Sequence, residues 1–365
     1  MSKPHDAIVV SGGPAGTAAA WHLYNQGVEN VLLLDRAVFP REKPCGSGLT
    51  RKAQHYLDEM GALGKVRKRA YEVPKIYLVT PRGRAFCEKV NDELLPFMLV
   101  LNRTVLDHVL LAHIQGSGVA VREGVEVKEL LKGNGKFQGV LTRDGERLQA
   151  KTIVMASGVH SRKFLPGGLP ATRIGTLVGW FRGKQREKNA AYMFWDDAFL
   201  PFYGWIFPEA DDLVNVGVGL EERRCNGKAL RAAFEIMRSR YLKRYMNEAS
   251  QVGSIRGYPI HYTYHINRVV RGNALFVGEA ASLVDPVSGE GIAQALISGR
   301  IAARAISAYL RDANTSHLRD YEVAVREEFH RFPSMRRTKA FMSYRTAWRL
   351  LELLMGRSKK WESST

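Results

Sequence analysis

The stretch DAIVVSGGPAGTAAAWHLYNQG, residues 6–27, decides the fold of this 365-residue chain. Asp6–Val10 predicts a short buried strand, and the next six residues predict a glycine-rich turn. Thr17–Gln26 predicts an alanine-rich helix that ends before Gly27. A second apolar strand, Asn30–Leu34, follows at once. A strand, turn, helix and strand within about 30 residues form a βαβ unit. Strands this apolar are typical of a parallel sheet that is covered on both faces.

The turn in this unit stands where a GxGxxG dinucleotide fingerprint would stand, with Ser11 at the first glycine position. In that pattern Gly13 lets the backbone approach a pyrophosphate, and Gly16 lets the helix pack closely on the strand. Pro14 and Ala15 begin the helix, whose free N–H groups and positive potential suit phosphates. We therefore predict a dinucleotide site here. The alternative is a glycine turn selected only for packing.

A cationic loop follows the second strand and extends the predicted site. Asp35 ends the strand about 20 residues after the turn, where an acid can accept hydrogen bonds from a ribose. Loops that leave strand ends in such sheets reach the ligand crevice, so Arg36 and Arg41 are candidates to contact adenine or pyrophosphate. Cys45, next to Gly46, is a candidate to lie close to a cofactor ring. The alternative for Cys45 is a small buried packing residue.

The segment GEAASLVDPVSGEGI, residues 278–292, carries the strongest site signal. It lies between a predicted strand, Ala274–Val277, and a predicted long helix, Gly291–Leu310. An acid at the strand end can accept from a ribityl hydroxyl, and the helix N-terminus can stabilise negative charge on a reduced flavin ring. The candidate cofactor-binding residues of this segment are Gly278, Glu279, Pro286, Gly289, Gly291 and Ile292.

A second sheet is predicted from β-branched and aromatic runs bounded by turn residues. Its candidate strands are Lys75–Val79, Arg84–Val90, Gly175–Phe181, Ala191–Trp195, Gly204–Phe207 and Leu213–Leu220. Between them lie a predicted helix, Thr104–Ile114, a segment from Val119 to Glu126, and another buried strand, Thr152–Ala156. The two domains are therefore expected to interleave.

The predicted fold class is α/β, with a Rossmann-like nucleotide-binding domain interleaved with an antiparallel-sheet (α+β) substrate domain, plus C-terminal helices. The predicted boundaries are 1–72, 98–168 and 265–310 for the first domain, 73–97 and 169–264 for the second, and 311–365 for the C-terminal helical region. The last 45 residues are expected to be helical.

The charge of the chain is strongly basic: 54 Lys and Arg against 36 Asp and Glu give +18. Such an excess implies an anionic partner. Residues 331–360 hold nine Lys or Arg and one Glu. Zinc-finger spacing, RNP-like aromatics and basic-zipper heptads are missing from the sequence, so nucleic acid is an unlikely partner. A solvated basic surface and an anionic membrane surface remain the two alternatives.

Cysteine use and hydropathy suggest where the protein works. Cys45, Cys87 and Cys225 are not in CxxC spacing, so neither a disulfide framework nor a metal site is expected. The polar N-terminus does not resemble a secretory signal, and no stretch approaches the roughly 18 apolar residues of a membrane span. We expect a cytoplasmic protein, with peripheral binding to a membrane as the alternative location.

A C-terminal aromatic stripe supports the membrane alternative. Helical spacing connects Phe341, Tyr344, Trp348, Leu351 and Met355, and the cations Arg337, Lys339, Arg345 and Arg349 flank them. The pattern predicts one basic amphipathic helix, which either packs on the body of the protein or lies on an anionic membrane.

The order of these motifs resembles flavoprotein oxidoreductases of the p-hydroxybenzoate hydroxylase fold. The resemblance covers about residues 5 to 310 and rests on the N-terminal fingerprint, Asp35, Lys43-Pro-Cys-Gly46, Arg103 with Asp107, Ala156-Ser-Gly-Val-His-Ser161 and the 278–292 segment. Within that group the chain resembles the geranylgeranyl reductase family. The specific signature is Tyr203-Gly-Trp-Ile-Phe-Pro208, then eight residues, then Gly217-Val-Gly219. Ser11, Ser157 and Glu279 depart from the commonest pattern.

The resemblance implies FAD as cofactor and adds Arg103, Ala156 and Gly158 to its binding residues. It implies a substrate site at Tyr203, Trp205, Phe207, Gly217 and Gly219, with Cys45 as the catalytic candidate. It further implies an FAD-dependent reductase that saturates C=C bonds of an isoprenoid or polyprenyl lipid or similar apolar substrate. Reduced flavin would deliver hydride and an acid would add a proton. NAD(P)H or a reduced protein carrier would donate electrons. The alternatives are a flavin-dependent monooxygenase or halogenase acting on an aromatic substrate, and a flavin- or lipid-binding protein without turnover.

Overall fold

The computed structural model describes residues 3–89, 95–133, 135–164, 171–354 and 359–360. The strands are, in chain order, β1 (His5–Val10), β2 (Val31–Leu34), β3 (Gly48–Thr50), β4 (Tyr71–Val73), β5 (Lys75–Val79), β6 (Arg84–Lys89), β7 (Met98–Val100), β8 (Ala120–Arg122), β9 (Val127–Gly133), β10 (Lys136–Thr142), β11 (Arg147–Met155), β12 (Thr172–Gln185), β13 (Ala190–Phe194), β14 (Gly204–Ala210), β15 (Leu213–Glu221), β16 (Met246–Tyr262), β17 (Val270–Arg271), β18 (Ala274–Phe276) and β19 (Lys359–Lys360).

The α-helices are α1 (Pro14–Asn25), α2 (Arg51–Glu59), α3 (Leu63–Arg67), α4 (Arg103–Gly116), α5 (Gly227–Ile236), α6 (Lys243–Tyr245), α7 (Ile292–Asp312), α8 (Ser316–Glu328), α9 (Phe332–Met342) and α10 (Arg345–Leu354). Short 3-10 helices span Gly158–Phe164 and Gly278–Ala281, and a π-helical turn spans Met237–Leu242.

The first sheet has the order β17-β18-β11-β1-β2-β8, and β9 and β10 extend from β11 as an antiparallel meander. The strands β8, β2, β1, β11 and β18 run parallel. The central residues of these strands are buried, with α1 in contact with β1, β2 and β11 and with α7 packed on α1. The two helices approach closely at Gly299, where a Cβ would lie 2.5 Å from the Ala15 carbonyl oxygen. The parallel βαβ start predicted from the sequence is confirmed.

The second sheet has the order β16-β12-β15-β14-β13-β5-β6-β19 and is mostly antiparallel. Its strands alternate: Val214, Val216 and Val218 face a core formed with α5 and the π-helical turn. On the other side of β15, Asn215 and Gly217 contact Trp205, which lines a cavity toward the first sheet together with Gly219. The main strands of the first sheet lie within the predicted first domain, and those of the second sheet lie within the predicted second domain. The domain boundaries themselves stay a prediction. A small third sheet has the order β3-β7-β4, and the cationic loop that contains Cys45 leads into its strand β3.

The C-terminal region differs from the prediction in two ways. Its residues are not all helical, since β19 pairs with β6. The aromatic stripe does not lie on one helix, because the chain turns between Met342 and Arg345. Trp348 is buried, donates its indole N–H to the Met342 carbonyl at 2.9 Å and packs on Trp195. Phe341 and Tyr344 are exposed instead. The predicted stripe position Met355 lies outside the described residues.

Lys339 is a further correction, because a cation predicted to flank the stripe at a solvent or membrane surface is buried. Its side chain is 4% exposed, and its Nζ lies 2.8 Å from the Tyr262 hydroxyl and 3.1 Å from Glu221 Oε1. It also lies 3.8 Å from the ring centroid of Phe202. Burial lowers the pKa of Lys339 to about 8, against the opposing effect of Glu221. Lys339 therefore connects α9 to β15 and β16 of the second sheet.

Among the described residues, no helix is both long and apolar enough to cross a bilayer.

Candidate functional site

A cavity of about 830 Å³ lies between the two sheets, at the carboxyl ends of β1, β2 and β11. Most predicted site residues line it: Ser11, Gly13, Pro14, Ala15, Asp35, Arg36, Arg41, Cys45, Gly46, Arg103, Ala156, Gly158, Tyr203, Trp205, Phe207, Gly219, Glu279, Gly289, Gly291 and Ile292. The predicted residues that do not line it are Gly16, Gly217, Gly278 and Pro286. The first three of these support lining residues from behind.

One end of the cavity is built to hold an anion. Gly13 precedes α1, and a Cβ there would lie 3.6 Å from a terminal nitrogen of Arg41 and 3.9 Å from one of Arg103. Arg103 forms a bidentate pair with Asp107, with both N···O distances at 2.7 Å, and Arg41 reaches the same carboxylate at 3.0 Å. Burial opposes the charged form, but Asp107 raises the pKa of Arg103. Two fixed guanidinium groups beside a helix N-terminus suit a pyrophosphate.

The turn before α1 explains how Ser11 replaces a glycine. Ser11 has a φ of +93°, a conformation that usually requires glycine. Its hydroxyl donates to Asp35 at 2.9 Å, and the Gly12 N–H donates to the same oxygen at 2.7 Å. A Cβ at Gly16 would lie 1.8 Å from the Ser11 carbonyl oxygen, so only glycine fits at this position, where the helix packs on the turn. Asp35 thus holds the turn as well as facing the predicted ribose position.

The middle of the cavity contains a polar cluster that the sequence did not fully indicate. Glu279 accepts from the Tyr258 hydroxyl at 3.2 Å and forms an ion pair with Lys43 at 3.6 Å. Lys43 also lies 4.9 Å from the Tyr258 ring centroid. Burial lowers the pKa of Lys43, while Glu279 acts in the opposite direction. Gly158 faces this cluster, and a Cβ there would be 3.2 Å from the Glu279 carboxylate. Such a group of donors and acceptors fits the hydroxyls of a cofactor chain.

The N-terminus of α7 closes the next part of the cavity. Gly289 has a φ of +69°, which allows the loop to turn into the helix. Glu290 lines the cavity and accepts a hydrogen bond from the Thr50 hydroxyl, while Gln294 approaches it at 3.4 Å. Burial raises the pKa of Glu290. An acid that keeps its proton to higher pH lies here beside the helix end.

Aromatic side chains form the opposite end. The predicted residues Tyr203, Trp205 and Phe207 follow one another along the wall, with successive ring centroids 6.1 and 6.3 Å apart. Trp195 and Phe202 also line the cavity, although they were not among the predicted site residues. Trp195, the last residue of a predicted strand, directly follows β13, and Phe202 lies just before β14. The wall is therefore broader than the signature alone indicated.

Two predicted glycines hold the indole of Trp205 in place. A Cβ at Gly217 would lie 2.1 Å from the Trp205 ring, and one at Gly46 would lie 3.2 Å from its Nε1. Trp205 is thus enclosed between β15 and the cysteine loop. The Trp205 indole donates a hydrogen bond to Asn215, a residue that was not predicted from the sequence. The signal was a single polar residue in the buried run LVNVGVGL of β15.

The residues at the polar end fit FAD. Gly13 leaves room for a pyrophosphate between two arginines, Asp35 faces the adjacent position, and Glu279 with Lys43 continues the row of polar groups. These residues would hold the cofactor along the cavity from the turn at β1 to the start of α7.

Comparison with known proteins agrees with this geometry. The FAD binding domain family matches residues 5–185. Digeranylgeranylglycerophospholipid reductase 1 of Methanopyrus kandleri is 28% identical over 337 residues, covering 89% of this chain and 86% of that protein. Menaquinone reductase of Mycobacterium tuberculosis is 28% identical over 323 residues, covering 82% and 75%. The structure of a geranylgeranyl bacteriochlorophyll reductase-like protein from Thermoplasma acidophilum superposes with a TM-score of 0.84 at 22% identity, covering 97% of this chain and 92% of that one.

Fold, cavity and family match together define an FAD-dependent oxidoreductase. Within that class, the chain is similar to a digeranylgeranylglycerophospholipid reductase and a menaquinone reductase along most of its length. The predictions of the fold class and of FAD as cofactor are therefore confirmed.

Proposed function

We propose that this protein uses FAD to saturate C=C bonds in the isoprenoid chain of a lipid. The observation that carries the proposal is that one cavity joins the anion-binding end to an aromatic, largely apolar end. Aromatic walls of this kind suit a long apolar chain. Two relatives are named as reductases of lipids, a digeranylgeranylglycerophospholipid and menaquinone.

The chain's own residues would divide the work as follows. Bound FAD, once reduced, supplies the hydride. Arg41, Arg103 and the turn around Gly13 hold the pyrophosphate, while the aromatic wall excludes water and orients the apolar chain. Glu290 would donate the proton that completes saturation, and water would restore its proton afterwards. Cys45 lines the cavity beside the wall.

The direct test is product analysis with pre-reduced enzyme. Dithionite-reduced protein is mixed with a geranylgeranylated glycerophospholipid or with menaquinone, and the lipid is examined by mass spectrometry. We expect two added hydrogen atoms per saturated bond. Glu290→Gln should retain FAD but form product about 100-fold more slowly, the lower range for loss of a general acid. Product formation at the wild-type rate would remove Glu290 from the chemistry. Unchanged lipids with every isoprenoid substrate would contradict the proposed function.

Oxygen use separates this function from its alternatives. A monooxygenase or halogenase consumes oxygen in a substrate-dependent manner, whereas a reductase yields saturated product without oxygen. A binding protein without turnover gives no product in either case. Assays of the reduced protein with and without oxygen therefore distinguish the three. The electron donor proposed from the resemblance is NAD(P)H or a reduced carrier protein. Bleaching of the flavin absorbance by each donor identifies which one acts.

The outer face of α10 supports a peripheral membrane site. Leu350, Leu353 and Leu354 are 49%, 78% and 74% exposed. The opposite face is anchored, because Trp348 packs on the cavity-lining Trp195 and the buried Glu352 accepts from Thr80 at 2.6 Å. The exposed leucines thus lie on the outside of a helix whose inside covers a cavity wall. The local excess of cations would favour an anionic bilayer as their partner.

Vesicle sedimentation tests the membrane site. We expect binding to phosphatidylglycerol vesicles, little binding to phosphatidylcholine vesicles, and loss of binding at high salt. Leu353→Glu combined with Leu354→Glu should abolish binding and leave FAD content unchanged. Val323→Glu, at an exposed apolar position on α8, is the control and should bind as wild type does. Equal sedimentation of the double variant and the wild type would rule out α10 as the anchor.

A further inference from the structure

Asn215 is a fully buried amide on the cavity-facing side of β15. It is 0% exposed, and its strand neighbours Val214 and Val216 point into the core on the other side of the sheet. A buried amide must satisfy its donors and its acceptor within the protein. Asn215 does so entirely through side chains and one loop carbonyl, none of which belongs to β15 itself.

The hydrogen bonds of Asn215 join the two sides of the substrate end. Its Oδ1 accepts from the Trp205 indole at 2.8 Å, and its Nδ2 donates to the backbone carbonyl of Cys45 at 2.9 Å. The same Nδ2 lies 3.2 Å from Glu209, whose carboxylate also accepts from the Trp180 indole at 3.0 Å. One side chain therefore fixes the aromatic wall and the cysteine loop to the same point of the sheet.

The glycines on either side make this connection rigid. Trp205 cannot move toward β15 or toward the loop without room at Gly217 or Gly46, and both already contact its ring. Because Trp205 is closely packed on both sides, the hydrogen bonds of Asn215 hold it in one position. The asparagine amide can both accept from an indole and donate to a carbonyl here. Aspartate lacks the donor and would face the Glu209 carboxylate, and leucine lacks both groups.

We propose that Asn215 is a positioning residue that holds the Cys45 loop against Trp205, and so fixes the shape of the cavity at its aromatic end. The proposal rests on the proposed function, because this shape affects turnover only if the substrate chain lies along the aromatic wall. Neither the aromatic signature nor the cysteine loop by itself predicts this role for Asn215.

The test measures Cys45 itself, in protein without added substrate. The rate of iodoacetamide alkylation at Cys45 is followed by peptide mass spectrometry in wild type, Asn215→Asp and Asn215→Leu. Cys225, which is partly buried beside Leu230, serves as the internal reference. We expect alkylation of Cys45 to rise about tenfold in both variants, the effect of losing a buried hydrogen bond, while Cys225 stays within about twofold.

A matched control separates positioning from general loosening. Asn273 is a 2% exposed asparagine of the first sheet, and its side chain bonds to Phe137 and Lys151 rather than to the cavity. Asn273→Asp should leave the ratio of Cys45 to Cys225 alkylation at the wild-type value. The proposal is overturned if the ratio is unchanged in the Asn215 variants, or if Asn273→Asp shifts it equally.

A milder variant keeps the test decisive if both Asn215 variants fail to fold. Trp205→Phe keeps an aromatic ring but removes the N–H that donates to Asn215. We expect it to raise the Cys45 alkylation ratio about threefold, less than the loss of the whole amide. An unchanged ratio would count against the proposal.

Because alkylation requires no turnover, its result is independent of whether isoprenoid reduction is found. With pre-reduced enzyme, the Asn215 variants should also raise KM more than they lower kcat, while FAD content remains normal.

Discussion

The two ends of the cavity are built in different ways. At the anion-binding end, the turn from Ser11 to Gly16 forms the predicted phosphate site within one short segment, and α4 and a single loop add the arginines. At the aromatic end, the wall needs β12 to β15 in register, plus the loop at Cys45. The first end relies on backbone N–H groups and charge, the second on packing between distant segments.

This difference explains why the two ends tolerate substitution differently. A phosphate site made by a local turn fails when that turn changes, and the effect appears as lost cofactor. A wall assembled by sheet pairing loses stability first, because each ring is part of a packed core. The predictions below test this contrast, beginning with the largest expected effect.

Valine at Gly16 or Gly13 should separate folding from cofactor binding within a single turn. Gly16→Val places a Cβ where the Ser11 carbonyl lies 1.8 Å away, so we expect no soluble folded protein. At Gly13 the nearest atoms are 3.6 Å away, so Gly13→Val should fold. It should nevertheless lose FAD, with affinity reduced about 100-fold or more, or about 3 kcal/mol. Circular dichroism and flavin absorbance measure the two outcomes. Purified Gly13→Val with a full complement of FAD would contradict the phosphate site.

Trp205→Ala should have the opposite effect at the other end. Removing the enclosed indole leaves a cavity, which costs about 3–5 kcal/mol of stability. We expect FAD content near that of wild type, a lower urea midpoint and weaker substrate handling. Trp205→Phe should lose much less stability because a ring remains. If Trp205→Ala loses FAD and keeps its substrate affinity, the two ends are not separate.

Arg103→Leu should destabilise the anion-binding end through charge. Breaking a buried ion pair costs about 3–5 kcal/mol, and Arg41 still partners Asp107, so the lower value is expected. The control is Arg122→Leu, which breaks an exposed pair with Glu146 and should cost about 1 kcal/mol or less. Urea unfolding compares the two. Similar losses would mean that the Arg103 pair is no more important than a surface pair.

Substitutions of Ser11 should reveal how the turn accommodates a residue other than glycine. Ser11→Ala keeps the positive φ but loses the bond to Asp35, so we expect a loss of about 1–2 kcal/mol. Ser11→Gly loses the same bond but relieves the backbone, so its stability should be within about 1 kcal/mol of wild type. Thermal unfolding gives the ranking, and a glycine variant less stable than the alanine variant would be inconsistent with strain at this residue.

Lys339 should give a small pH effect at the aromatic end. Folding lowers its pKa to about 8, so above that pH the unfolded chain holds more protons than the folded one, up to its ordinary value of 10.5. This group therefore makes the free energy of unfolding rise with pH from about 8. Lys339→Met should remove that part of the slope, whereas the exposed Lys228→Met should not. Parallel stability curves for wild type and Lys339→Met would show that the lowered pKa has no effect on folding.

Much of the site was predictable because it follows local patterns. The turn before α1, the acid at Asp35 and the glycines before α7 each lie at a strand end, where loops of a parallel sheet meet the ligand. The alternation of Tyr203, Trp205 and Phe207 likewise indicated one shared face. The C-terminal helix was mispredicted because helical spacing continues across the break at Ser343, and spacing alone does not show where a chain turns.

The sequence by itself determined the nucleotide-binding unit, because that unit depends on short-range periodicity and on glycines at fixed offsets, and the resemblance to known flavoproteins indicated FAD. Only the tertiary structure decided which residues complete the site. Asn215 meets the Cys45 loop across 170 positions, and Lys339 reaches Glu221 from a different helix. Trp348 is buried while Leu353 is exposed. Such outcomes depend on which surfaces meet after the sheets pair, and hydrogen bonds and burial between distant segments have no local pattern in the chain.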